Sequence, residues 1–119
     1  MKIAVTSTGT ELTSEMDPRF GRAAYFLIVD PDTLVFEPVE NSQNINLPQG
    51  AGIQAGKTVA DKNVDAVITG NCGPKAYRTL RAAGIMVVTD VNGRVIDAVL
   101  KFKNGELEEA NKANVEGHW

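Results

Sequence analysis

Two short apolar runs separated by one helix-length segment constrain this fold most. Val64 to Ile68 and Ile85 to Thr89 each have the length and composition of a buried strand. Between them Gly73-Pro74 opens a segment in which Ala76, Leu80 and Ala83 form one helical stripe, and Gly84 closes it. A strand, a helix and a strand in succession return the chain in the same direction, so these two strands pair in parallel through a crossover. A second helix is predicted upstream, where Ile53, Gly56, Val59 and Ala60 share a face up to Asn63. A third follows the last strand, with Val95, Ile96, Val99, Leu100 and Phe102 on its apolar side between Asn92-Gly93 and Asn104-Gly105.

The first third of the chain reads differently. Lys2 to Thr6 is a buried strand, followed by an unusually long polar loop through Glu15-Met16-Asp17-Pro18 to Arg19-Phe20-Gly21-Arg22. Tyr25 to Val29 and Leu34 to Val39 flank the turn Asp30-Pro31-Asp32, which predicts an antiparallel hairpin. Pro38 has no amide hydrogen for a ladder, so the third strand belongs at a sheet edge. Asn41 to Gly50 is a second long polar loop. The whole predicts an α/β chain, one domain over residues 1–119, built as a mixed five-stranded sheet with helices packed on it. In such sheets ligands bind beyond the carboxyl ends of the parallel strands, here the segments after Thr6, Thr69 and Thr89.

Charge and composition narrow the function classes. Twelve Lys plus Arg against fifteen Asp plus Glu leave a net charge of -3 without a basic run, so nucleic acid is not an expected partner. The opening Met1-Lys2-Ile3-Ala4-Val5 lacks the pattern of a signal peptide, and no apolar stretch approaches membrane-spanning length, so a cytoplasmic location is expected and a membrane is not. With Cys72 the single cysteine, no intrachain disulfide and no all-cysteine metal site can form within one chain. No serine sits on a nucleophile elbow, and the one histidine, His118, gives no assured dyad with Cys72; the chain is not expected to be an enzyme.

Four segments carry chemistry, each with a plainer reading beside it. Ala51 to Thr58 satisfies a relaxed phosphate-loop pattern, but no strand leads into it and few helical residues follow Lys57, so helix entry explains its glycines better. Gly70-Asn71-Cys72-Gly73-Pro74 is a strand-to-helix turn whose amides and helix dipole favour an anion, with a thiol and Lys75 beside them. Alternatively Cys72 is a small buried apolar residue and the glycines only make the turn tight. Arg19-Phe20-Gly21-Arg22 sets an aromatic between two oxyanion-binding guanidinium groups, or else plugs the core with Phe20 while the arginines pair with surface carboxylates. His118 is a candidate ligand or part of a frayed tail.

The strand order, the loop Phe20-Gly21-Arg22-Ala23, the run from Val64 through Asp65 to Pro74, Ala82-Ala83-Gly84-Ile85 after it, and the closing Asn114-Val115-Glu116-Gly117-His118-Trp119 together resemble the dinitrogenase iron–molybdenum cofactor biosynthesis family (NifX-like and orange-protein-like). The resemblance covers nearly the whole chain. It implies a ribonuclease H-like fold and the binding of iron–sulfur, iron–molybdenum or molybdenum–copper sulfide clusters, often without covalent cysteine attachment. Nuclease chemistry does not come with that fold name, because the first strand, Lys2 to Ser7, carries no carboxylate for a metal.

The leading expectation is therefore a non-catalytic carrier for an anionic metal–sulfur cluster, exchanging it with a donor or acceptor protein as a monomer or homodimer. Arg19, Phe20, Gly21, Arg22, Gly70, Asn71, Cys72, Gly73 and Lys75 would bind the cluster, with Cys72 or His118 as metal ligand. The alternative is a regulatory or adaptor module of the same fold that meets a partner protein without cofactor.

Overall fold

The computed structural model describes residues 1–41, 47 and 49–115. The elements follow in the order β1 (Ile3–Ser7), β2 (Tyr25–Val29), β3 (Phe36–Glu40), α1 (Ala51–Ala60), β4 (Ala66–Ile68), α2 (Pro74–Ala82), β5 (Met86–Val88) and α3 (Val95–Lys103). They build a mixed five-stranded sheet in the spatial order β3-β2-β1-β4-β5. β1 pairs antiparallel with β2, Ile3 opposite Val29 and Ser7 opposite Tyr25, and β2 pairs antiparallel with β3. On its other side β1 pairs parallel with β4, and β4 with β5. β1 is thus central and buried throughout, which is why it opens on the unbroken apolar run Ile3-Ala4-Val5.

Strand alternation splits the core into two layers. Ala4, Phe26, Ile28, Val67 and Val87 face α1 and α2, meeting Ala55, Val59, Ala76 and Leu80. Ile3, Val5, Leu27, Val29, Ala66, Ile68 and Val88 face α3, meeting Val95, Ala98 and Val99. Every one of these side chains is almost wholly buried, and each large aliphatic among them contributes roughly 1.5–3 kcal/mol of transfer free energy.

Glycines in α1 serve helix packing. A Cβ on Gly52 would lie 2.9 Å from the Ala76 Cβ, and one on Gly56 would lie 2.8 Å from the Thr79 Cγ2, so α1 and α2 sit closer than side chains allow. The phosphate-loop pattern is accordingly helix interior: Gly56 is buried against α2, Lys57 stands in the last turn, and the Thr58 hydroxyl donates to the Gln54 carbonyl.

Two predicted core positions are exposed instead. Ala83 follows the last residue of α2, where Gly84 (φ 76°) turns the chain before a further helical turn can bury it. Leu100 is 41% exposed because it lies five residues, roughly 140° of helical rotation, from Val95 on the buried stripe. The third strand begins at Phe36 rather than Leu34, since Leu34 takes a positive φ of 63° in the hairpin turn and its amide donates to the Asp30 carbonyl. In that turn the Asp32 and Thr33 amides donate to the Asp30 carboxylate and hold its pKa below the usual value. Pro38 lies on an edge strand as its chemistry requires.

Candidate functional site

The carboxyl ends of β1 and β4 are tied together by hydroxyl groups. The buried Thr6 hydroxyl donates to the Asp17 carbonyl at 2.7 Å and lies 3.0 Å from the Thr69 hydroxyl. This brings the long loop after β1 back over the end of β4. Asp17, 4% exposed, then organises the loop: Oδ1 accepts the Arg19 amide at 3.0 Å and stands 3.5 Å from Arg19 Nε, while Oδ2 accepts the Ala24 amide at 3.3 Å. Asn41, buried at the end of β3, donates to the Gly21 and Ala23 carbonyls and clamps the loop from the other side.

The loop and the strand-to-helix turn meet directly. The Asn71 amide donates to the Pro18 carbonyl at 2.7 Å, and the Phe20 amide donates to the Asn71 carbonyl at 3.1 Å, a parallel bridge between Arg19 and Asn71. A Cβ on Gly70 would fall 2.8 Å from the Pro18 carbonyl oxygen, so only glycine permits this approach. Gly21 abuts the first turn of α1 in the same way, at 2.8 Å from the Gly52 nitrogen. The structure therefore brings Arg19, Phe20, Gly21, Arg22, Gly70, Asn71, Cys72, Gly73 and Lys75 to one end of the sheet.

Their side chains divide into rim and core. Phe20 is turned inward, its ring centroid 5.3 Å from that of Phe26. The Arg19 side chain keeps 41% of its surface, Arg22 is half-buried, and Lys75 is exposed. Cys72 is fully buried, its thiol facing the Gly73 carbonyl at 3.7 Å, and burial pushes its pKa up to about 12. In this conformation the thiol is neutral and belongs to the packing between sheet and α2. His118 lies outside the described residues. Among the described residues no group of three His, Cys, Asp or Glu side chains is gathered as a metal ion needs.

Electrostatics favour an anion on this rim. α1 starts at Gly50 (φ 83°) and α2 at Gly73, neither with a side-chain cap nor an acidic residue in its first turn, so both present the positive end of the helix dipole. α3 differs, because its Val95 and Ile96 amides are taken by the Ser14 and Leu12 carbonyls. One exposed acid, Asp90 after β5, adjoins the turn, held at a positive φ of 65° with its amide on the Gly70 carbonyl.

Sequence reasoning missed Asn114. Its side-chain oxygen accepts the Cys72 amide at 2.8 Å, and its Nδ2 lies 3.0 Å from the Gly70 carbonyl and 3.2 Å from Asp90 Oδ1. Its place in the closing motif was the available signal; the contact itself spans 42 residues. Asp17 was also missed as the organiser, though Asp-Pro preceding the arginines marks a constrained turn.

Taken together, these elements define a small α/β protein in which the 17–24 loop and the 70–73 turn meet at the carboxyl ends of β1 and β4 in a mixed sheet. The chain belongs to the dinitrogenase iron-molybdenum cofactor family, whose model matches residues 1–105. It is 43% identical to the orange protein of Desulfovibrio gigas, solved in its apo form, with a TM-score of 0.93 over 96% of each chain. It is 36% identical to TM1290 of Thermotoga, with a TM-score of 0.83 over 98% of each chain. MJ0580 of Methanocaldococcus jannaschii is 31% identical over 111 residues, 92% of this chain and 91% of that protein.

Proposed function

We propose that this chain is a non-catalytic carrier that binds an anionic metal–sulfur cluster, of iron–sulfur, iron–molybdenum or molybdenum–copper type, as cargo at the carboxyl ends of β1, β4 and β5. The observation that carries this reading is the pinned junction of the 17–24 loop with the 70–73 turn. It sets Arg19, Arg22 and Lys75 around the uncapped N-termini of α1 and α2. A sulfide cluster of net negative charge is a large, polarisable anion, and guanidinium groups, amides and helix dipoles hold such anions without a covalent bond.

The buried thiol supports the same reading, since a neutral Cys72 in the core leaves charge and amide contacts to do the holding. The strand order is the one expected of a ribonuclease H-like motif, and we read this domain as a member of that architecture working in the cytoplasm with a cluster donor or acceptor. No described helix is long and apolar enough to cross a membrane. The test is anaerobic incubation with tetrathiomolybdate plus copper, and separately with iron and sulfide, followed by desalting and metal analysis. Stoichiometric metal and a retained visible chromophore are expected. A colourless, metal-free protein under all conditions sinks the carrier reading and favours the adaptor.

A further inference from the structure

The segment after α3 is bonded more elaborately than a polar tail requires. It runs along the outer edge of β5, where the Ala110 amide donates to the Val87 carbonyl at 2.7 Å. Arg81 pairs with Glu109 at 2.7 Å, and the Tyr77 hydroxyl donates to the Ala110 carbonyl at 3.1 Å. Four residues on, Asn114 reaches the 70–73 turn and engages it from both sides. Its Oδ1 accepts the Cys72 amide at 2.8 Å, and its own amide donates to the Cys72 carbonyl at 3.2 Å. Its Nδ2 lies 3.0 Å from the Gly70 carbonyl, 3.4 Å from Asn71 Oδ1 and 3.2 Å from Asp90 Oδ1.

One neutral side chain thus uses the amide at the centre of the turn that the proposed cargo would approach. An N–H donates well to one acceptor at a time, and Gly70, Cys72 and Gly73 are all buried in this docked arrangement. We propose that residues Glu109 to Asn114 form a latch on the anion site, so that docking of Asn114 and binding of an anion at the Cys72 amide exclude one another. The inference rests on the carrier reading and adds its regulation. Outside the turn its anchors are the Ala110 amide on the edge strand β5, the half-exposed Arg81–Glu109 pair and the part-buried Tyr77 hydroxyl. Parting them leaves the pairing of β1 to β5 intact, as in segments that open without unfolding the sheet. Asp90 is exposed, so its carboxylate turns to water when Asn114 leaves. Arrival of cargo would release the tail, and a partner that captures the tail would open the site.

The test uses the full chain and two variants. Asn114→Ala removes the side-chain contacts of the latch, including the one on the Cys72 amide, and keeps the backbone bond to the Cys72 carbonyl, while Tyr77→Phe removes only the distant hydroxyl anchor. Amide exchange at Cys72 is followed by NMR without ligand, and tetrathiomolybdate binding by visible absorption. Asn114→Ala is expected to speed Cys72 exchange about ten-fold and to tighten tetrathiomolybdate binding about five-fold, the worth of one competing hydrogen bond. Tyr77→Phe should move both quantities the same way by less. If the parent retains tetrathiomolybdate while neither folded variant binds it more tightly, the latch is overturned and the carrier reading stands. If no protein retains it, the carrier reading falls and the latch loses its ligand.

Discussion

Substituting Gly21 by alanine tests whether close backbone contact builds the site. The added Cβ would lie 2.8 Å from the Gly52 nitrogen, 2.9 Å from its Cα and 3.2 Å from the Ala51 carbonyl carbon. Carbon contacts relax only near 3.5–4.0 Å, so loop and helix must part by about 0.7 Å. Neither side yields cheaply: the obstructing atoms are helix backbone, and the loop is held by Asn41 on the Gly21 carbonyl and by the Phe20 amide on Asn71. Overpacking of this kind costs about 1–3 kcal/mol. For a chain of this length that lowers Tm by roughly 4–12 °C. Gly50 is the control, because nothing lies within 4 Å of an added Cβ there and only its φ of 83° resists a side chain. Its alanine variant pays only the left-handed backbone cost, about 1–2 kcal/mol, and asparagine should recover part of that. At Gly21 no residue larger than glycine should recover. Thermal unfolding followed by circular dichroism reads both series, and a Gly21→Ala protein melting within about 1 °C of the parent would refute the argument.

Two further predictions concern the sheet edge and the buried thiol. The Asn41 amide on the Ala24 carbonyl and the Asp30 amide on the Val35 carbonyl set the β2–β3 register so that position 38 points away from β2. Pro38→Val therefore adds an outward N–H on the edge strand of the described sheet and should strengthen self-association about five-fold, measured by sedimentation against the parent; an unchanged association constant would show that Pro38 does not guard the edge. The Cys72 pKa is raised to about 12 from 9.0, so the folded state keeps its proton where the unfolded state loses it. Stability from this group is complete below pH 9 and falls as pH rises toward 12, by about 1.4 kcal/mol at pH 10. Urea titrations of the parent and Cys72→Ala at pH 8 and pH 10 should differ by that amount; parallel losses in both would place the thiol elsewhere.

Much of the fold is legible because local chemistry and tertiary structure agree. Tyr25 to Val29 is apolar on both faces and turns at Asp30-Pro31, and the strand occupies those five residues. Pro38 demands an edge and has one. Legibility fails where a helix ends, as at Ala83, and at the margin of its buried face, as at Leu100, because a periodic pattern does not say where a helix stops or how wide its buried stripe is. The site was half legible for the same reason. Glycines and arginines mark the two segments, but the reason for Gly70 is the Pro18 carbonyl, 52 residues earlier in the chain, and no local rule supplies that contact. Asn114 is the extreme case: the closing motif marks the residue, but nothing local names the turn 42 residues earlier that it meets.

The most direct test of the account sets the thiol against the charged rim. Cys72→Ala and the double variant Arg19→Glu/Lys75→Glu are loaded anaerobically with tetrathiomolybdate and copper, desalted and analysed for metal beside the parent. Non-covalent holding predicts that Cys72→Ala keeps parental stoichiometry, while the charge reversals weaken retention about ten-fold or more, each worth on the order of 1 kcal/mol near a surface. Loss of metal from Cys72→Ala, with retention by the charge-reversed protein, would contradict it and make the thiol the ligand.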